Sequence, residues 1–192
     1  LDGFLYTVFQ KSDTESTKEF VHEFKRYGFP IEYWEKDRLV EEIGTSRYEG
    51  AVYVKHGGSL HAMKLIHALK VLCAQENVII YENSPVTEIK EGNETTLAVG
   101  ENGFIVKTKH IALATNAFTT KLGYFKDKVL PLHIVTGATE PLSPEKLQRI
   151  AWKSRMPFVD SRIELYHLVL TPDNRIIIGG GYSNYFYNND LH

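Results

Sequence analysis

A single cysteine, Cys73, stands among the 192 residues, so no internal disulfide forms, and no cluster of cysteines and histidines has zinc-ligand spacing. A reducing, cytoplasmic setting is the expectation. No apolar run approaches the roughly 20 residues needed to cross a bilayer, which leaves no candidate spanning helix. Charge of one sign is also missing. With 22 basic and 24 acidic residues and a formal net charge of -2, the chain has no bulk attraction for nucleic acid or for an anionic membrane. Partner choice falls to local sites. The opening Leu1-Asp2-Gly3 is neither an initiator nor a signal peptide, and the expectation is a piece of a longer protein. What is present is 43% hydrophobic, enough for one or two packed units without metal or disulfide staples.

Residues Gly3 to Phe9, aromatic and β-branched, predict a half-buried strand. A helix follows, with Ser16 and Glu19 at capping-box spacing, Phe20, Val21, Phe24 and Tyr27 on one stripe, and Gly28 as its stop. A shorter helix is expected from an Asp37 N-cap through Leu39, Val40 and Ile43 to Gly44. Ser59 is placed to cap another, whose Ala62, Leu65, Ile66, Leu69, Leu72 and Cys73 predict one buried face. The continuous apolar runs Val78 to Tyr81 and His110 to Ala114 predict strands covered on both sides. Between them, Val86 to Ile89 reads as a strand, and Leu97 to Val99 and Phe104 to Val106 flank the turn Asn102-Gly103. Ser143-Pro144 opens a helix with Leu147, Ile150 and Ala151 inward. Glu164 to Leu170 and Arg175 to Ile178 form a hairpin across Thr171-Pro172-Asp173-Asn174, and Asn184 to Asp190 is expected to fray.

The segment Ile111-Ala112-Leu113-Ala114-Thr115-Asn116-Ala117 passes from apolar to small to short polar residues at a strand's carboxyl end, where α/β sheets bind ligands. Small side chains there let phosphates approach the backbone. The plainer reading is a strand exit with Asn116 turning the chain. His61 and His67 lack the i, i+4 spacing of paired metal ligands, and His133 and His167 have no assigned chemistry. Cys73 reads as a small buried hydrophobe. Arg162 and Arg175 carry forks that suit a carboxylate, and both are read as solvated strand ends.

Taken in order, Gly58-Ser59-Leu60-His61, Ser84-Pro85-Val86-Thr87-Glu88-Ile89, Ala112-Leu113-Ala114-Thr115-Asn116-Ala117, Ala138-Thr139-Glu140-Pro141-Leu142 and Leu170-Thr171-Pro172-Asp173-Asn174-Arg175 through Gly179-Gly180-Gly181 resemble the D-amino-acid-oxidase-like family of FAD-dependent oxidoreductases. The resemblance is greatest to the gamma-glutamylputrescine oxidase type, and glycine and sarcosine oxidases are other members. It implies an α+β fold, with a mixed, largely antiparallel substrate-domain sheet plus part of an FAD-binding α/β domain. The implied division is 1-56 and 124-192 for the substrate-binding domain and 57-123 for the FAD-binding portion.

The same resemblance implies FAD as cofactor, an amine or amino acid as substrate, and oxidation of its C–N bond. Val86 would meet the adenine end through its backbone, while Ala114, Thr115 and Asn116 would line the cofactor. Tyr166 would face the substrate with its phenol. For Val86 the rival is a strand core residue, and for Tyr166 it is ordinary packing of a half-buried strand. The chain departs from the family in lacking a strand, G-x-G-x-x-G turn and helix to hold the pyrophosphate. The expectation is therefore a fragment inactive by itself. The alternative is a noncatalytic binding or interaction module that keeps the fold without the cofactor.

Overall fold

The computed structural model describes residues 3–92, 96–130 and 132–181. They form two compact units, one running to His61 and resuming at Ile134, the other Ala62–His133. The stretch 184–190, where fraying is expected, lies outside the described residues.

In the first unit, strand β1 (Phe4–Val8) leads through a 3-10 turn, Lys11–Asp13, into helix α1 (Thr14–Arg26). The helix is not capped by Ser16. Asp13 is the N-cap, and the Ser16 and Thr17 hydroxyls both donate back to its carbonyl, at 3.1 and 2.6 Å. A hydroxyl already inside the first turn caps nothing, because the N–H groups needing partners lie ahead of it. The other end is as expected. Gly28 takes φ +81°, its N–H meets the Lys25 carbonyl, and the Phe29 N–H meets that of Phe24, the paired bonds of a Schellman stop.

Strand β2 (Ile31–Glu35) feeds directly into α2 (Lys36–Ile43), so Glu35 and not Asp37 is the N-cap, and Gly44 closes the helix in the left-handed conformation. After β3 (Gly50–Val54) the chain leaves this unit.

The second unit begins with α3 (Ala62–Gln75), three residues beyond Ser59, which is too far back to cap it. None of the helix is buried, contrary to the expected inward stripe. Val78 to Tyr81 forms no strand and stands exposed, Ile79 to 76%. Residues 110–114 are likewise unpaired, with Ile111 exposed. Apolar continuity marks a segment that needs covering on both sides, and the described residues supply no such cover. Strands β4 (Val86–Lys90), β5 (Thr96–Gly100) and β6 (Ile105–Thr108) make a three-stranded antiparallel sheet with β5 central. The β5–β6 turn closes on Gly103 at φ +77°, whose N–H meets the Gly100 carbonyl. A 3-10 helix, Asn116–Leu122, then packs beside β4.

Back in the first unit come β7 (Thr136–Ala138), α4 (Pro144–Ile150), β8 (Phe158–Asp160), β9 (Tyr166–Leu170) and β10 (Ile176–Gly180). Ser143 caps α4 by accepting from the Lys146 N–H, with Pro144 at the first helical position as expected. The Thr171 to Asn174 turn joins β9 and β10 with Asn174 at φ +66°.

The seven strands order as β2-β3-β1-β8-β9-β10-β7. Only β1 and β8 run parallel among these pairings, with Leu5 opposite Phe158. Period-two alternation splits the sheet's side chains. Leu5, Trp34 and Ala51 join Leu39 and Ile43 of α2 in the main core, while Val52 and Ile31 pack on Val21 of α1. Val21 is the only buried member of the expected α1 stripe, Phe20, Phe24 and Tyr27 being exposed. The first unit thus places the carboxyl ends of β1 and β8 side by side, where the Phe9 N–H donates to Ser161 Oγ at 3.0 Å and the Ser161 N–H to the Thr7 carbonyl at 3.0 Å.

Candidate functional site

The paired strand ends carry Asp160, which has no solvent exposure. Its carboxylate is served by four N–H groups. The Arg162 and Tyr166 backbone N–H groups reach Oδ1 at 3.3 and 3.1 Å, and Arg162 Nε reaches Oδ2 at 2.9 Å, with Nη2 on the same oxygen. A buried carboxylate costs too much to leave unpaired, and here it organises the whole turn from β8 to β9. The guanidinium of Arg162 also lies against the rings of Phe9 and Tyr166, 4.3 and 4.6 Å from its carbon to the ring centres. The Asp160 hydrogen bond raises the Arg162 pKa further above its already high value.

Arg162 is therefore no solvated strand end. It lines, with Gln10, Asp13, Ser161, Ile163, Glu164 and Tyr166, a cavity of about 610 Å³. Arg175, by contrast, is a strand end, bonded to Asp173 Oδ2 at 2.9 Å and to the Thr139 carbonyl at 3.1 Å.

Tyr166 is half-buried at the start of β9 and borders that cavity. Gly181 explains the end of the glycine run. Its φ is +78°, and a side-chain carbon there would come within 2.6 Å of the Tyr166 phenol oxygen, so any larger residue would displace the ring.

The other candidate residues lie together in the second unit. Val86 opens β4, the edge strand of the three-stranded sheet, opposite Gly100 and just before a bulge between Val86 and Glu88. It is exposed, so the described residues form no core around it. An edge strand presents main-chain groups that a ligand can use. Ala114 is exposed outside any helix or strand, and Asn116 sits at φ +45° at the head of the 3-10 helix. Thr115 is committed inward, its hydroxyl 2.7 Å from that of Thr119, which itself donates to the Asn116 carbonyl at 2.7 Å. Tyr124 braces the same region by donating to Glu91 Oε1 at 2.9 Å, just beyond β4, and that bond pushes the phenol pKa up.

The donor set suits a neutral, backbone-led contact with a dinucleotide: an edge strand, a small residue and a short amide, with Thr115 fixing the turn. It includes no helix N-terminus for a pyrophosphate.

Asp160, absent from the sequence expectations, joins the candidate site in the structure. A signal was present in Asp160-Ser161-Arg162, an acid and a base two apart at a strand end, but only the fold shows the acid buried. Cys73 is partly exposed rather than buried. Among the described residues, no group of histidine, cysteine and carboxylate side chains is arranged to hold a metal, and no helix is long and apolar enough to cross a membrane.

The family model for FAD-dependent oxidoreductases of the DAO type matches residues 1–192. The chain belongs to this family. FAD is the family's cofactor. This DAO-family chain is 25% identical over 187 residues to gamma-glutamylputrescine oxidoreductase of Escherichia coli, covering 93% of the chain and 42% of that protein. It is 27% identical over 166 residues to the probable oxidoreductase OrdL of Haemophilus influenzae, covering 83% of the chain and 38% of that protein. Its fold is shared with glycine oxidase from Geobacillus kaustophilus, with a TM-score of 0.73 at 18% identity over 95% of the chain and 48% of that structure. The DAO-family chain spans about two-fifths of the length of these curated relatives.

Proposed function

We propose that this chain is part of an FAD-dependent oxidoreductase that oxidises the C–N bond of an amine or amino acid. The family match along all 192 residues carries the reading. The likeness to gamma-glutamylputrescine oxidoreductase of Escherichia coli supports an amine substrate class. Residues 57-123 are the portion contributed to the FAD-binding domain, and 1-56 with 124-192 the substrate-binding domain. The uncovered apolar side chains of α3, of Val78 to Tyr81 and of Ile111 support the first assignment, since such segments are stable when packed against a further sheet or helix layer. Cys73 alone, with no disulfide to maintain, supports a cytoplasmic location.

When bound, FAD supplies the acceptor for the hydride leaving the carbon that bears the amine. The chain's own residues bind and orient. The Val86 backbone on the β4 edge meets the adenine end. Ala114 leaves room for close approach, Asn116 offers its amide, and Thr115 holds the turn through Thr119. Tyr166 presents its phenol to the substrate from the cavity wall. The imine that results is hydrolysed by water, so no residue need act as a general acid or base.

Replacing Thr115 and Asn116 together with bulky apolar residues in the full-length protein is expected to lower its flavin content, read from the absorbance of the purified protein. Unchanged flavin counts against the site. By itself the chain is expected to bind FAD weakly and to have no oxidoreductase activity. Each tenfold of affinity is about 1.4 kcal/mol, and losing two or three charge-assisted bonds at about 1.5 to 3 kcal/mol apiece weakens binding by orders of magnitude. Calorimetric titration of FAD into the isolated chain tests this. A dissociation constant in the low micromolar range or tighter would refute it.

A further inference from the structure

We infer that helix α1 is a self-pairing surface, on which a second copy of this chain docks antiparallel about a two-fold axis near Phe20 and Phe24 and seats its Tyr27 in the cavity between α1 and strands β1 and β3. The inference concerns assembly and goes beyond the proposed function. A stripe, a knob with its hole, and a row of charges carry it, all from one helix.

Of α1 only Val21 is buried, while Phe20, Phe24 and Tyr27 stand exposed along it. The Phe20 and Phe24 rings lie 4.2 Å apart, centre to centre, and Phe29, just past the Gly28 stop, lies 5.3 Å from Phe24. An aromatic side chain buries about 150 to 250 Å², so at the exposure these four retain they offer a partner about 400 Å² of apolar surface. A standard interface takes about 800 Å² from each partner, as an apolar core inside a polar rim. The stripe has the extent of such a core.

The hole lies against the same helix. A cavity of about 500 Å³ opens between α1 and the sheet, lined by Tyr6, Ser16, Thr17, Phe20, Val52 and Val54 and by no charged side chain. Tyr27, 72% exposed at the C-cap, stands ten residues beyond Thr17, about 15 Å along the axis. Antiparallel pairing that sets Phe20 opposite Phe24 of the second copy also sets Thr17 opposite its Tyr27. Both knobs then meet both holes at once, as an isologous contact requires. The Ser16 and Thr17 hydroxyls already spend their protons on the Asp13 carbonyl, so they are left to accept. A tyrosine brings an apolar ring for the two valines and a phenol proton for those oxygens.

The charges fit the same register. Three glutamates on α1 are balanced by Lys18, Lys25 and Arg26, which leaves no net attraction for an anionic surface and suits a copy of itself. Among the described residues Glu19 forms no ion pair, whereas Arg26 holds Glu23 of its own helix at 3.5 Å and stays exposed. Glu19 and Arg26, seven apart, share one side of the helix. Antiparallel pairing sets Glu19 of each copy beside Arg26 of the other, at the rim of the aromatic core.

The test uses the full-length protein in sedimentation equilibrium, which is expected to show a dimer at micromolar concentrations. Tyr27→Ala should raise the dimer dissociation constant by about 100-fold, since the knob is lost twice. Glu19→Arg and Arg26→Glu should each raise it by about 10-fold, and the two together should bring it back toward the wild-type value, which a misfolded helix would not do. The register is read by oxidising Ser16→Cys with Tyr27→Cys. Within one copy these positions lie about 16 Å apart along the helix, beyond the ~7 Å between Cα atoms that a disulfide spans, so only a second copy can join them, and a covalent dimer is expected. A monomeric wild type overturns the inference by showing the stripe covered or idle, and a dimer indifferent to Tyr27→Ala overturns it by placing the contact elsewhere. Failure of the charge swap to recover, or a double cysteine variant that links no better than either single one, overturns the antiparallel pairing.

Discussion

Two helices that each repeat apolar residues at spacings of three and four meet opposite fates in this chain. α2 turns Leu39 and Ile43 into the core of the first unit, beside Leu5, Trp34 and Phe158. α3 leaves Leu65, Ile66, Leu69 and Leu72 about half exposed, and among the described residues of the second unit only Gly100 and Thr119 are buried. Periodicity tells which face of a helix calls for cover. It does not tell whether the same chain provides that cover. The seven-stranded sheet gives α2 a surface to bury against, whereas the three-stranded sheet of the second unit buries none of α3.

The largest effect that sharpens this contrast is a pair of leucine truncations. In the isolated chain Leu39→Ala should cost about 2 to 5 kcal/mol in urea unfolding, because it opens a cavity in a closed core. Leu69→Ala should change stability by about 0.5 kcal/mol or less, as an exposed substitution does. Equal losses would break the comparison. In the full-length protein Leu69→Ala is expected to behave as a core substitution if the proposed packing of this segment is correct.

Asp160→Ala comes next, with an expected loss of about 3 kcal/mol, since it leaves the Arg162 guanidinium and two backbone N–H groups without their acceptor. The measurement is chemical denaturation of this chain. An effect as small as that of a surface residue would remove Asp160 from its role as the anchor of the β8–β9 turn. Ser143→Ala should cost about 1 kcal/mol by the same measurement, through loss of the α4 cap.

The smallest expected effects are two pH responses, one in each unit. Hydrogen bonds from Thr171 and then Arg175 hold Asp173 below its usual range, and the Lys70 hydrogen bond does the same for Glu82. A carboxylate depressed on folding contributes stability above its unfolded pKa, about 3.9 for Asp and 4.3 for Glu, and loses it as the pH falls through the lower folded value. Carboxyl NMR titration should place each midpoint below its reference. Both groups are fully exposed, so added salt should narrow both shifts. A midpoint at or above the reference would show that the bonding carboxylate is not held in solution.

The elements read well from the sequence wherever local chemistry decides them. Gly28 and Gly44 stop their helices because a left-handed residue there satisfies the trailing carbonyls, and Ser143-Pro144 starts one because a hydroxyl and a fixed φ suit the first turn. The helices do not start from Ser16, Asp37 or Ser59, because capping residues also occur inside or ahead of helices, and the backbone conformation before them selects which one acts. Tyr166 and the Ala114 to Asn116 turn stood out in the sequence by motif. The Asp160–Arg162 lock did not, since an acid and a base two residues apart look alike whether solvated or buried.

Sequence by itself determined the family, through the order and spacing of short motifs, and it determined the local punctuation of turns and caps, whose energies depend on neighbours within a few residues. Tertiary structure alone decided which apolar faces are covered and which charges are withdrawn from water. Those outcomes depend on strands brought together from distant points, such as β1 and β8, which set Phe9 beside Ser161 and close Asp160 off from solvent. Burial is a property of what surrounds a residue, and those surroundings are assembled only when the chain folds.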